Sequence, residues 1–216
     1  VPTRFLDMAL ASPTLVPALM YFMGASPASA ATAAGGATFA APRCHRSLTK
    51  ESIWLVGNVL SGTATQKDVA EARGLIAALC ALLPTTPFDL QKGAAIALFN
   101  AVADGHARRS AAVFGSRGVV AAFVALLAKP DEECVWYALR CVELACSCGH
   151  ASTVEAEGGM GVLEAMQYRR TGRGDIWQIA GKVLNEYFYE DEDEDVGEES
   201  GAGGADGMFG QRVGGG

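Results

Sequence analysis

The sequence is poor in the features that most functional classes require. Its longest apolar runs, Val119 to Ala128 and Leu15 to Met23, reach about half of the roughly 20 residues of a membrane-spanning helix, so no span is expected. A basic segment followed by a cleavage site is missing from the N-terminus, and a start at Val1 reads as the start of a fragment. Six cysteines in 216 residues are too few for a disulfide scaffold, which favours a reducing cytoplasmic or nuclear setting. Three histidines, His45, His106 and His150, fall in a loop and at helix junctions. With no Ser, His and acid arrangement and no phosphate-binding glycine motif, the expectation is a protein that is not an enzyme and needs no cofactor. Basic excess is lacking too. Nine acids follow Phe188 with only Arg212 against them, so a tail of charge −8 leaves +1 for the body of a chain whose net charge is −7. A nearly neutral body is not the footprint of a nucleic-acid binder, which displaces phosphate counterions with a basic stripe.

Alternation of β-branched residues is almost absent. Apolar residues instead recur at three and four, as in Leu75, Ile76, Leu79, Leu82 and Leu83, so the chain is expected to be all helix. Breakers such as Gly62, Gly74, Pro84, Gly105, Gly118, Pro130 and Gly158 cut it into helices of roughly 8 to 17 residues.

What the sequence does contain is a repeat. Lys50 to Asn58 aligns without gaps on Lys92 to Asn100, an offset of 42 residues, with the Lys and the Asn kept at both ends. Each block leads through a glycine corner (Gly62, Gly105) and a short polar helix to a Gly-apolar-apolar helix start at Gly74 or Gly118. Three helices make a unit, and the period is that of helical solenoids. A third unit is expected as helices near Arg108 to Phe114, Gly118 to Leu127 and Asp131 to Cys146. A fourth follows at Ser152 to Ala156, Gly159 to Tyr168 and Asp175 to Phe188. Upstream, Arg4 to Leu10 and Leu15 to Met23 are the first two helices of a unit completed by Lys50 to Leu60. About 18 extra residues separate them, so 25–47, rich in Ala, Ser and Gly, is assigned as a flexible insertion. Residues 1–188 are then the solenoid and 189–216 a disordered acidic and Gly-rich tail.

Trp54 and Asn58 stand one turn apart on one helix face. An indole can stack on a Lys or Arg side chain, and an Asn amide can hold one peptide unit of an extended chain. The same spacing fits a Trp54 buried in the core with Asn58 bonding at the helix end, and by spacing alone this second reading is the stronger. Cys141, Cys146, Cys148 and His150 invite a zinc reading. Their spacing is not that of a Cys-x-x-Cys pair, and Cys134 and Cys141 lie two turns apart on one apolar face, so a packing role and no metal are expected.

KESIWLVGNVLSG and FDLQKGAAIALFNAVADG resemble the third helices of armadillo repeats in importin-α, whose pattern is Lys-Glu-Ala-x-Trp-x-x-x-Asn. VEAEGGMGVLEAMQ followed by DIWQIAGKVLNEYFYEDEDED is similar to the last repeat of that family and its acidic tail. The resemblance implies a right-handed α-solenoid of about four armadillo repeats, present in both cytoplasm and nucleus. It implies binding of nuclear localisation signals near the family's minor site by Glu51, Trp54, Asn58, Ile96 and Asn100. Ile96 replaces a Trp and Gly93 a Glu, and Val142 lies 42 residues after Asn100, so the implied groove is half-equipped. An export receptor with Ran in its GTP form is expected at the C-terminal repeat, and importin-β only through a segment outside this chain. The alternative is a generic armadillo scaffold without signal binding.

Overall fold

The structure, a computed structural model, describes residues 3–24, 45–168 and 175–189, and all regular structure among them is helical. Two helices, α1 (Thr3–Ala11) and α2 (Leu15–Phe22), precede α3 (Arg46–Leu60). Two further triplets follow: α4 (Ala64–Ala72), α5 (Leu75–Leu82) and α6 (Phe88–Val102), then α7 (Ala107–Phe114), α8 (Val119–Leu127) and α9 (Glu132–Ala145). One π turn, Cys146–His150, leads into the last triplet, α10 (Ala151–Ala156), α11 (Gly159–Tyr168) and α12 (Ile176–Tyr187). No single helix among the described residues is long and apolar enough to cross a membrane.

Local chemistry sets the boundaries. Thr63 Oγ1 accepts the Gln66 amide N–H at 3.3 Å while Gln66 Oε1 accepts that of Thr63 at 2.9 Å, a reciprocal cap that starts α4. Asp131 starts α9 by accepting the Cys134 N–H at 2.9 Å. Gly74, Gly118 and Gly158, with φ of 79°, 77° and 77°, turn the chain into α5, α8 and α11, a conformation that costs a residue with a Cβ about 1 kcal/mol or more.

The third helices of successive units stack, α3 on α6, α6 on α9 and α9 on α12, burying one continuous core. Val56, Leu60, Leu98, Leu139, Val142, Val183 and Leu184 are the apolar face of that stack, and Leu75, Leu79, Val113, Phe123 and Leu163 join it from the other helices. The α3–α6 contact is close because small residues meet there. A Cβ on Gly57 would lie 3.5 Å from the Ala97 Cβ, and one on Gly93 would lie 3.0 Å from Ile53 Cγ2.

Expected helices and observed ones agree to within a residue or two except at α3, which begins at Arg46 and not at Lys50. Arg46 is tied to Asp89 of α6 through its guanidinium, Nε donating to Oδ2 at 2.9 Å, and that anchor extends the helix by a turn into the end of the assigned insertion. The rest of that insertion, 25–44, and the acidic tail, 190–216, lie outside the described residues. The third unit also has a different register. Buried Ala94, Ala95, Leu98, Ala101 and Val102 of α6 correspond to buried Ala138, Leu139, Val142 and Ala145 of α9 and Cys146 of the π turn that follows, an offset of 44 residues. Val142 is therefore a core residue, and the counterpart of Asn100 is Leu144.

A buried cation fixes the first helices of two units. The Arg109 side chain of α7 is 1% exposed and donates to Asp68 at 2.5 Å, to Asp104 at 2.6 Å and to the Ala101 carbonyl at 3.1 Å. Lys67, also largely buried, reaches Asp104 at 3.1 Å.

Candidate peptide-binding cleft

A cleft of about 480 Å³ opens between α3 and α6 and is closed at one edge by the start of α9. Spacing of four on each helix brings its side chains to one face: Lys50, Trp54 and Asn58 from α3, and Lys92, Ile96 and Asn100 from α6. Trp54 is 65% exposed, so the core reading of this residue is overturned: its helix turns Ile53 and Val56 inward and leaves the indole at the mouth of the cleft. Asn58 is half-buried, and its side chain makes no hydrogen bond within the described residues. Asn100 donates to the Gly57 carbonyl at 3.2 Å, so one of its amide hydrogens is spent on holding α6 to α3 and its oxygen stays available. Glu51 is exposed on α3 but is not among the residues lining the cleft. The structure thus brings Trp54, Asn58, Ile96 and Asn100 together and sets Glu51 apart.

Two acids of the cleft, Asp89 and Asp131, come from positions that sequence reading passed over, and Asp175 repeats their arrangement one unit on. Asp89 opens α6, Asp131 opens α9 and Asp175 precedes α12, and each takes a donor from the third helix of the preceding unit. Arg46 donates to Asp89. Lys92 donates to Asp131 at 2.8 and 3.0 Å, and Trp136 Nε1 to Asp175 at 2.6 Å. Lys92 also pairs with Glu133 at 2.8 Å. The hydrogen bond from Arg46 holds the Asp89 carboxyl below the usual carboxylate range, and that from Lys92 does the same for Asp131. Bonds to Asp131 and Glu133 raise the Lys92 ammonium in turn. The sequence signal was an acid at the start of the last three of the third helices, 42 and 44 residues apart.

Beyond α6 the Trp and Asn pair is replaced by charge. In the register of the core, Arg140 and Lys182 take the place of Trp54 and Ile96, and both bond to Glu143, Lys182 at 2.9 Å. Phe99, Trp136 and Tyr137 stack edge to face beside them, with ring centres 5.0 to 5.6 Å apart. Gly93 is explained by packing: an acidic side chain at 93 must first displace the Ile53 branch, 3.0 Å from where its Cβ would stand.

At the C-terminal end Tyr187 and Phe188 pack against the core, while Trp177 and Tyr189 are exposed. Cys134, Cys141 and Cys146 are buried and Cys148 is exposed. Burial pushes the Cys134 thiol up to about 11 and raises that of Cys141 further. His150 faces the Phe114 ring at 6.2 Å, and no group of three His, Cys, Asp or Glu side chains among the described residues could hold a metal.

No family model matches the chain. Importin subunit alpha-9 of Arabidopsis thaliana is 26% identical over 159 residues, covering 68% of this chain, which spans 30% of that relative's length. A designed armadillo repeat protein solved in complex with the peptide (KR)4 superposes with a TM-score of 0.57 at 20% identity, covering 84% of this chain and 80% of its own. A second, computationally designed for modular peptide recognition, gives 0.58 at 18% identity over the same shares. In fold this chain is an armadillo-repeat solenoid, and in sequence it is similar to an importin-α subunit over about two thirds of its length.

Proposed function

We propose that the chain binds basic, extended peptides of the nuclear-localisation-signal kind in the α3–α6 cleft, as part of a nucleocytoplasmic transport adaptor, and acts by binding and not by catalysis. The observation that carries this is the exposed Trp54, one turn from Asn58, in a cleft edged by Asp131. The indole face attracts the cation and aliphatic stem of Lys or Arg, and the amides of Asn58 and Asn100 hold the peptide backbone. Glu51, exposed one turn before Leu55, adds negative potential at the rim. A designed protein of the same fold binds an alternating Lys-Arg peptide, which supports this class of ligand.

An export receptor with Ran in its GTP form is proposed at the C-terminal repeat, with Trp177 and Glu186 on its approach face, and importin-β through a segment outside this chain. Residence in cytoplasm and nucleus follows from that role. The arrangement of 1–188 as solenoid and 189–216 as tail belongs to the same proposal. Arg140 and Lys182 favour a second reading, a scaffold whose groove no longer takes basic peptides beyond α6.

Trp54→Ala decides the matter. Titrating the 216-residue chain with a fluorescent lysine-rich peptide should give binding that weakens about fivefold to thirtyfold in the variant, the equivalent of roughly 1–2 kcal/mol for a cation stacked on an indole. Because the indole is exposed, stability should change by less than about 0.5 kcal/mol. Equal affinity in the two proteins would remove the cleft from consideration.

A further inference from the structure

Lys92 lines the cleft, yet its charge is consumed within the protein. Its side chain is 27% exposed, and the ammonium sits 2.8 Å from Asp131 Oδ2, 3.0 Å from Asp131 Oδ1 and 2.8 Å from Glu133 Oε2. Its counterpart on α3, Lys50, makes no ion pair among the described residues. The α6 side of the cleft therefore already holds one cation against the two acids at the start of α9, Asp131 at the cleft edge and Glu133 behind it. Packed helices lie about 8–10 Å apart, and an extended peptide advances about 3.3 Å per residue. A ligand whose basic side chain stacks on Trp54 brings the side chain two or three residues away over α6, where it meets the Lys92 ammonium already seated between the two carboxylates, which leaves the pocket a single net negative charge and no open position beside either acid.

We propose that Lys92 is a specificity-determining residue of the cleft, an internal competitor that restricts the peptide to one basic side chain, at Trp54, and denies a second one over α6. This rests on the reading of the cleft as a basic-peptide site. The partner so selected is a peptide with an isolated Lys or Arg flanked by neutral residues, unlike the continuous basic run that an open acidic edge would prefer. A purely architectural latch between α6 and α9 would also use these three side chains. The difference is that an architectural latch has no reason to couple to the second charge of a ligand.

The coupling is measurable. Lys92→Met keeps the aliphatic stem and should fold, because the two carboxylates it leaves behind, Asp131 at 32% and Glu133 at 57% exposure, can both turn to solvent. The probes are alanine-rich peptides with one lysine, or with a second lysine two or three residues to either side. On the natural chain the second lysine should change affinity by less than about twofold. On the Lys92→Met chain it should tighten binding by about fivefold, the range of one exposed ion pair, and the gain should fall with salt. Adding Glu133→Gln should remove most of that gain, while Asp131, which also starts α9, is left in place. A second lysine worth the same factor on both chains would overturn the proposal while leaving the cleft intact, provided binding still depends on Trp54. Peptide binding that is absent, or indifferent to Trp54→Ala, would overturn both.

Discussion

Arg109→Leu should lower the unfolding free energy by about 3 kcal/mol, read as a shift in the midpoint of urea unfolding. A buried ion pair that loses one partner typically costs about 3–5 kcal/mol because a charge is stranded away from water. Here Asp68 and Asp104 are 49% and 35% exposed, so both can turn to solvent, and Asp104 keeps Lys67. That moves the penalty to the low end of the range. The Ala101 carbonyl loses its donor as well, at about 1–2 kcal/mol. Arg109→Lys should recover less than half, because one ammonium cannot span Asp68, Asp104 and the carbonyl as the fork of a guanidinium does. The pH dependence carries a signature. Burial alone would raise the Asp104 carboxyl, but the hydrogen bonds from Lys67 and the His106 N–H, with the charges of Lys67 and Arg109, bring it below the usual carboxylate range. A depressed folded-state value contributes stability that is fully present above the unfolded value of about 3.9 and is lost as pH falls through the folded one. The natural chain should therefore destabilise below about pH 4 more steeply than Arg109→Leu, in which part of the depression is gone.

Leu98→Ala is the other large effect, expected at about 2–5 kcal/mol by the same unfolding measurement. Leu98 is fully buried in the middle of α6, which packs on α3, α5 and α9 at once. In a stacked array each unit is stable through its own contacts and those with its neighbours, so a cavity in a central unit weakens the interfaces on both sides. Hydrogen exchange should rise across α3, α6 and α9 and far less in α12. Peptide binding should weaken with it, since the α3 and α6 faces of the cleft are aligned by the very contact that Leu98 supports. Faster exchange confined to α6 alone would mean that the stack is less cooperative than its continuous core implies.

Most of the architecture was legible because a unit with a periodic apolar face and glycine corners announces itself twice. Lys50 to Asn58 and Lys92 to Asn100 align without a gap, and the helix ends follow from Gly74, Gly118 and Pro130. The third unit broke the pattern because one extra residue enters before Gly105 and a second before Gly118, visible in the spacing of the glycines but not in the helix that follows. A reading at the shorter offset therefore landed on buried Val142 and missed Leu144. Of the cleft, the Trp54 and Asn58 face could be read from spacing. Whether that face pointed inward could not, since one turn of helix looks the same from either side. Asp89 and Asp131 were obscured because an acid at a helix start is ordinarily explained by the helix itself. Arg109 was hidden for a similar reason: charged residues next to a glycine corner read as solvated, and only the meeting of α4 with α7 reveals that one of them is enclosed. Gly93 looked like a lost acid, and it is the space taken by the Ile53 branch.

The recurring left-handed glycine gives the chain a property that its helices alone would not. Gly74, Gly118 and Gly158 enter the second helix of the last three units at nearly the same backbone angle. The stretch between two such corners therefore begins and ends in interchangeable geometry, like a link of chain with identical fittings. A gene that duplicates or deletes one whole link keeps every corner closed and changes only the length of the surface on display. The corners therefore set no limit on the number of links, while the side chains facing the cleft differ from link to link.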